Sequence, residues 1–273
     1  VFFYFYNYMK SNNNTPIGIF DSGVGGTSIW KEIAELLPNE NTIYLSDSIN
    51  APYGEKSKEQ IIHLAKKNTD LLLEKGAKII VVACNTATTN AIDILRKEYS
   101  VPFIGIEPAI KPASLQTKTN VIGILATKGT LTSDLFEKTS SSIRQKTMIK
   151  EIEGKGLVSL IESGKIASIE MKKLLESYLH PLLKENIDCL VLGCTHYPYL
   201  IPKIKEIIGE NIKIIDSGEA IARQTRVILE QEGLLNEDQK EGERVFYSNK
   251  NVQVLQDMLD MFHDNLIATP IDF

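Results

Sequence analysis

Two cysteines stand where an apolar run gives way to polar residues: Cys84 in "KIIVVACNT" and Cys194 in "DCLVLGCTH", 110 residues apart. One cysteine after such a run is ordinary core packing, but two in matching contexts call for a single explanation. A thiolate can remove a proton and a thiol can return one, provided the group is accessible and its pKa is tuned. The neighbours are polar: Asn85 and Thr86 follow Cys84, and Thr195 and His196 follow Cys194. A helix N-terminus after each cysteine would favour the thiolate. Asp21, at the end of the first apolar run, and His196 are the charged side chains suited to moving the proton on or off. Two bases on opposite faces of one carbon are what stereoinversion requires, since one takes the proton while the other protonates the far face.

Other chemistries fit less well. Cys84, Cys189, Cys194 and His196 are metal-ligand types, yet no C-x-x-C or H-x-x-x-H pair is present, so no metal is expected. "DSGVGGTS" at 21–28 is rich in glycine but matches neither phosphate-loop fingerprint. Cys189 lies inside its apolar run, where alternation points it away from Cys194 and into the core. His63, His180 and His263 fall in helical surroundings and are expected to complete surfaces.

The elements that must carry these residues read as alternating strands and helices. Apolar strands are expected at 17–20, 41–47, 79–82, 101–106, 120–127 and 188–193. Helices are expected after Thr27 up to Pro38, at 57–75 with Gly76 as a left-handed cap, at 86–98, near 157–163 and at 166–185. Strands without alternation, separated by helices, indicate parallel sheets covered on both faces. The pattern also repeats: "PIGIFDS" returns as "NVIGILAT" and "KIIVVACNT" as "DCLVLGCTH", at offsets of about 105 and 110 residues. The fold class is therefore α/β, with two pseudo-symmetric domains. The expected division is 15–108 plus 217–273 for the first and 109–216 for the second, because "IIDSGEAIA" near 214–222 leads the chain back. Ligands of such sheets bind beyond the carboxyl ends of the strands, so facing halves would hold both thiols across one cleft.

Composition narrows the partners. A net charge of −5 with mixed signs among 273 residues lacks the basic stripe that nucleic acid demands. No apolar run approaches the length that spans a membrane. Three cysteines do not build a disulfide framework, which points to a reducing compartment, the cytoplasm. The aromatic start, "VFFYFYNYM", lacks the marks of a signal peptide. Residues 1–14 read as an extension without function, with the fold beginning near Pro16.

The motifs "FDSGVGG" (20–26), "APYG" (51–54), "ACNTAT" (83–88), "GIEPAIKPA" (105–113) and "GCTHYP" (193–198) together resemble the glutamate racemases of the aspartate/glutamate racemase superfamily. The resemblance implies a cofactor-independent isomerase that interconverts L- and D-glutamate and supplies D-glutamate for peptidoglycan. It implies that Cys84 and Cys194 are the two acid/base residues, with Asp21 and His196 assisting. It also implies substrate contacts from Asp21, Ser22, Tyr53, Gly54, Asn85, Thr86, Thr195 and His196. Aspartate racemase and an amino-acid-binding protein without turnover are the alternatives. Family members are commonly dimers, but no interface is legible here. Two departures stand out. The family's Cys-Pro before an apolar helix is missing from "EGKGLVSLIESG", leaving Glu162 only loosely aligned with an auxiliary glutamate. Tyr199 in "YPYL" replaces a usual aliphatic residue, with little catalytic consequence expected.

Overall fold

The computed structural model describes residues 13–250, 252–262 and 265–273. His263 and most of the N-terminal extension lie outside them. Ten strands and eleven helices are found among these residues. The first half runs β1 (Ile17–Asp21), α1 (Thr27–Leu36), β2 (Thr42–Ser46), α2 (Lys58–Glu74), β3 (Ile79–Val82), α3 (Asn85–Glu98) and β4 (Phe103–Gly105). The second runs α4 (Ile110–Gln116), β5 (Val121–Ala126), α5 (Lys128–Leu131), α6 (Asp134–Ser141), β6 (Met148–Glu153), α7 (Leu157–Glu162), α8 (Ile169–Leu183), β7 (Cys189–Gly193), α9 (Ile201–Ile208) and β8 (Lys213–Ile215). α10 (Gly218–Gln231), β9 (Arg244–Ser248), α11 (Val252–Leu259) and β10 (Ala268–Pro270) complete the order.

Every strand pairing among the described residues is parallel. One sheet has the order β10-β9-β2-β1-β3-β4 and the other β6-β5-β7-β8. Four strands at one end of the first sheet, β2-β1-β3-β4, follow the same order as the second, with β1 matching β5 and β3 matching β7. β9 and β10 extend the first sheet beyond β2. The fold is thus a two-domain α/β architecture, each sheet flanked by helices. Both central strands are buried along their length, which is why they read as unbroken apolar runs.

Local signals explain most boundaries. Ser57 caps α2 in a reciprocal capping box with Gln60, and Gly76 takes φ +84° just past its end. His63 and His180 are exposed on helices. The stretch after β4, expected to be a proline-marked crossing, contains the short helix α4, which tolerates Pro112 in its first turn. Ordered contacts begin before Pro16: the Asn13 carbonyl accepts a 2.5 Å hydrogen bond from Lys78, and that of Asn14 accepts one from Asn41 at 2.6 Å. No helix among the described residues is long and apolar enough to cross a membrane.

Candidate active site

Both cysteines leave the carboxyl ends of the central strands, and both line one pocket between the halves. Its walls include Ser22, Tyr53, Gly54, Cys84, Asn85, Thr86, Cys194, Thr195 and His196, together with Pro52, Thr127 and Val158. The pocket is narrow, its atom-free space of about 240 Å³ including solvent at its mouth. Of the residues expected at the site, Asp21 alone has no surface in the pocket. It is fully buried behind the wall, accepting from the Gly26 amide at 2.8 Å and from the Thr195 hydroxyl at 3.4 Å.

Cys84 occupies the N-cap of α3, and its sulfur accepts from the Ala87 amide at 3.4 Å. Ser22 Oγ lies 3.6 Å from the same sulfur. The helix terminus was expected to favour the thiolate, but burial, joined by the charge of Asp21, pushes the Cys84 thiol well above its usual range, outweighing the hydrogen bonds from Ala87 and Ser22. Cys194 is not followed by an α-helix N-terminus. A 3-10 turn over Tyr197–Leu200 comes first, and α9 starts only at Ile201. The group that faces Cys194 is instead His196, whose Nδ1 lies 3.8 Å from its sulfur.

His196 is itself oriented by Glu162, with 2.6 Å between Nε2 and Oε1. Glu162 comes from the end of α7 and is held by the Val24 amide at 2.7 Å and the Ser48 hydroxyl at 2.8 Å. Burial alone would drive this carboxyl up, yet hydrogen bonds from His196, Val24 and Ser48 hold it below its ordinary range. Burial likewise opposes the imidazolium, but contacts with Cys194 and Glu162 keep His196 well above 6.5. Both contacts favour the imidazolium form. Asp21, raised by burial and partly restrained by His196, titrates at about 6.

The remaining residues divide by what their polar atoms already do. Tyr53 lines the pocket, but its hydroxyl donates to Asp47 at 2.5 Å and accepts from Asn68 at 3.1 Å. The Asn85 side chain is buried, and neither its amide nitrogen nor its oxygen has a partner. An unpaired buried amide costs about 1–3 kcal/mol, and this one has its donor and its acceptor uncommitted beside the pocket. Thr86 belongs to a hydroxyl cluster with Thr127 at 2.8 Å and Thr130 at 3.3 Å. Sequence reasoning missed Thr127 and Thr130, although the internal repeat carried the signal: Thr127 follows β5 as Ser22 follows β1. Cys189 packs in the second sheet among Ile122, Ile124 and Val191, away from the pocket, so the four metal-ligand types do not converge.

The glycines of "DSGVGG" make room for the second half. A methyl group at Gly25 would sit 2.2 Å from His196 Nδ1, and one at Gly23 would sit 1.9 Å from Glu162 Oε1. Neither glycine has a positive φ, so the requirement is space for the His196–Glu162 pair.

Residues 17–225 match the family described as Asp/Glu/Hydantoin racemase. The chain belongs to this family. A glutamate racemase of Herpetosiphon aurantiacus is 45% identical over 227 residues, covering 83% of this chain and 89% of the relative. A solved glutamate racemase isoform of Bacillus anthracis superposes with a TM-score of 0.86 at 31% identity, over 96% of this chain and 99% of its own. The Francisella tularensis glutamate racemase, solved in complex with D-glutamate, gives 0.82 at 30% identity, over 96% and 98%.

Proposed function

We propose that this protein interconverts L- and D-glutamate by two-base proton transfer between Cys84 and Cys194. The observation that carries the reading is the placement of two thiols in one pocket, each backed by its own ionisable group. Asp21 stands behind Cys84, and the Glu162–His196 pair faces Cys194. One sulfur, as thiolate, removes the α-proton; the other, as thiol, protonates the opposite face, and the next turnover in reverse exchanges their roles. Glutamate brings two carboxylates and an ammonium. Ser22, Thr86, Thr195 and the unpaired Asn85 amide offer neutral hydrogen bonds to it, with the Gly54 main chain alongside. Among the described residues, His196 is the sole side chain on the pocket wall that can carry a positive charge. Fixed dipoles of this kind stabilise the carbanion as its charge develops, so the reading requires no resident cofactor. Its biological setting is the cytoplasmic supply of D-glutamate for peptidoglycan.

The test is proton NMR of L-glutamate in D2O, with aspartate as a parallel substrate and no cofactor added. Wild type should lose the α-proton signal as D-glutamate accumulates. Cys84→Ser and Cys194→Ser should each slow inversion by about 10²–10⁴-fold, the range of a lost acid/base group. Exchange with aspartate alone would overturn the substrate, and full activity in either mutant would overturn the two-base mechanism.

A further inference from the structure

Tyr199 closes a circuit of hydrogen bonds that starts and ends on the Cys194 segment. Its hydroxyl lies 2.5 Å from Oγ1 of Thr27, the first residue of α1 and fully buried. Thr27 has one hydroxyl proton, committed to the Val24 carbonyl at 2.6 Å, so the proton between the two hydroxyls belongs to Tyr199. The Val24 amide donates to Glu162 Oε1 at 2.7 Å, and that oxygen also meets His196 at 2.6 Å. His196 in turn faces Cys194, five residues before Tyr199. The rest of the Tyr199 ring packs on the apolar core, a task an aliphatic residue would perform without the hydroxyl. A second tie, from Ser28 Oγ to the Thr195 carbonyl at 3.0 Å, joins the same two segments and would persist without the first.

We propose that Tyr199 is a positioning residue: its bond to Thr27 fixes the glycine loop against the Cys194 segment and thereby aligns Glu162 and His196 on Cys194. The proposal deepens the two-thiol racemase reading and rests on it. Tyr199 has no surface in the pocket and acts through Thr27, Val24 and Glu162.

Tyr199→Phe keeps the ring and removes only the donor. It should lower kcat/KM by about three- to tenfold, the worth of one lost hydrogen bond. Because the two enantiomers have equal free energy, this fall must be the same in both directions, so the decisive readout is the isotope effect. With glutamate deuterated at Cα, the primary effect on kcat/KM should rise for the enantiomer whose α-hydrogen Cys194 removes, and not for the other. Thr27→Val should reproduce this, the double variant should be no worse than either single one, and Thr27→Ser should behave as wild type. Wild-type kinetics in Tyr199→Phe, or a loss with both isotope effects unchanged, would leave Tyr199 as packing alone. Should wild type fail to racemise glutamate, the functional reading falls and the alignment is read from chemistry instead. Iodoacetamide labelling, mapped by peptide mass, should then be faster at Cys194 relative to Cys84 in Tyr199→Phe, and an unchanged ratio overturns the proposal.

Discussion

In the mechanism proposed above, Asp21 serves chemistry at the expense of stability. It is a fully buried carboxyl whose one firm hydrogen bond comes from the Gly26 amide, and burial raises it from the ordinary 3.8 to about 6. Between those values the folded protein keeps a proton that the unfolded chain has released, so stability falls as pH rises from about 4 through about 6. A rise of about two units corresponds to about 3 kcal/mol once Asp21 is ionised. Asp21→Asn keeps an acceptor for Gly26 and removes the charge. It should therefore stabilise the protein by up to about 3 kcal/mol at pH 7.5 and by about half as much at pH 5. Urea unfolding at the two pH values measures the difference; a gain independent of pH would mean that Asp21 titrates normally. The same substitution should slow racemisation by about a hundredfold, because a group poised near neutrality can exchange protons at working pH and an amide cannot.

At the scale of elements, the loop from Asp21 to Gly26 is shaped by what the other half inserts into it. Gly25→Ala places a methyl 2.2 Å from His196 Nδ1, and His196 is enclosed too tightly to step aside freely. Since displacements of about 1 Å cost about 10² in rate, Gly25→Ala should lose about a hundredfold in kcat while its far-UV circular dichroism stays native. Gly76→Ala offers the contrast, having a positive φ but open space around the added carbon; it should affect stability alone. These distances also mark the limit of what the sequence could say. Strands such as Ile79–Val82 were legible because burial on both faces leaves an unbroken apolar run, and their ends pointed directly to Cys84 and Cys194. β6 was not legible: it is an edge strand, half-exposed along "MIKEIE", and its two isoleucines, separated by Lys150 and Glu151, match neither a buried run nor a regular alternation. The Glu162–His196 contact joins residues 34 apart through a helix that lacks the expected Cys-Pro. Tyr199, from which little was expected, has a partner 172 residues away. No local pattern encodes either meeting.

At the scale of the whole molecule, chemistry and stability occupy opposite ends of the first sheet. The pocket lies beyond the carboxyl ends, whereas Lys78 and Glu40 form an ion pair of 2.6 Å near the amino ends, with side chains 1% and 2% exposed. The pair gathers distant segments. Lys78 donates to the Asn13 carbonyl, and Glu40 Oε1 accepts from the Asn236 amide at 2.7 Å. Chain from before β1, from the α1–β2 turn and from the connection into β9 therefore meets at one point. Burial draws the Lys78 ammonium below its usual range, and Glu40 resists that shift, so the charges depend on each other. Lys78→Met removes one and leaves the Glu40 carboxylate buried without a counter-ion, which should cost about 3–5 kcal/mol. Adding Glu40→Gln removes the stranded charge while keeping an acceptor for Asn236, and should recover most of the loss. Urea unfolding of the three proteins checks this. Equal destabilisation of the single and double variants would show that packing, and not the uncompensated charge, holds these segments. Because the pair lies away from both thiols, the folded fraction of each variant should racemise at the wild-type rate, leaving stability changed and chemistry intact.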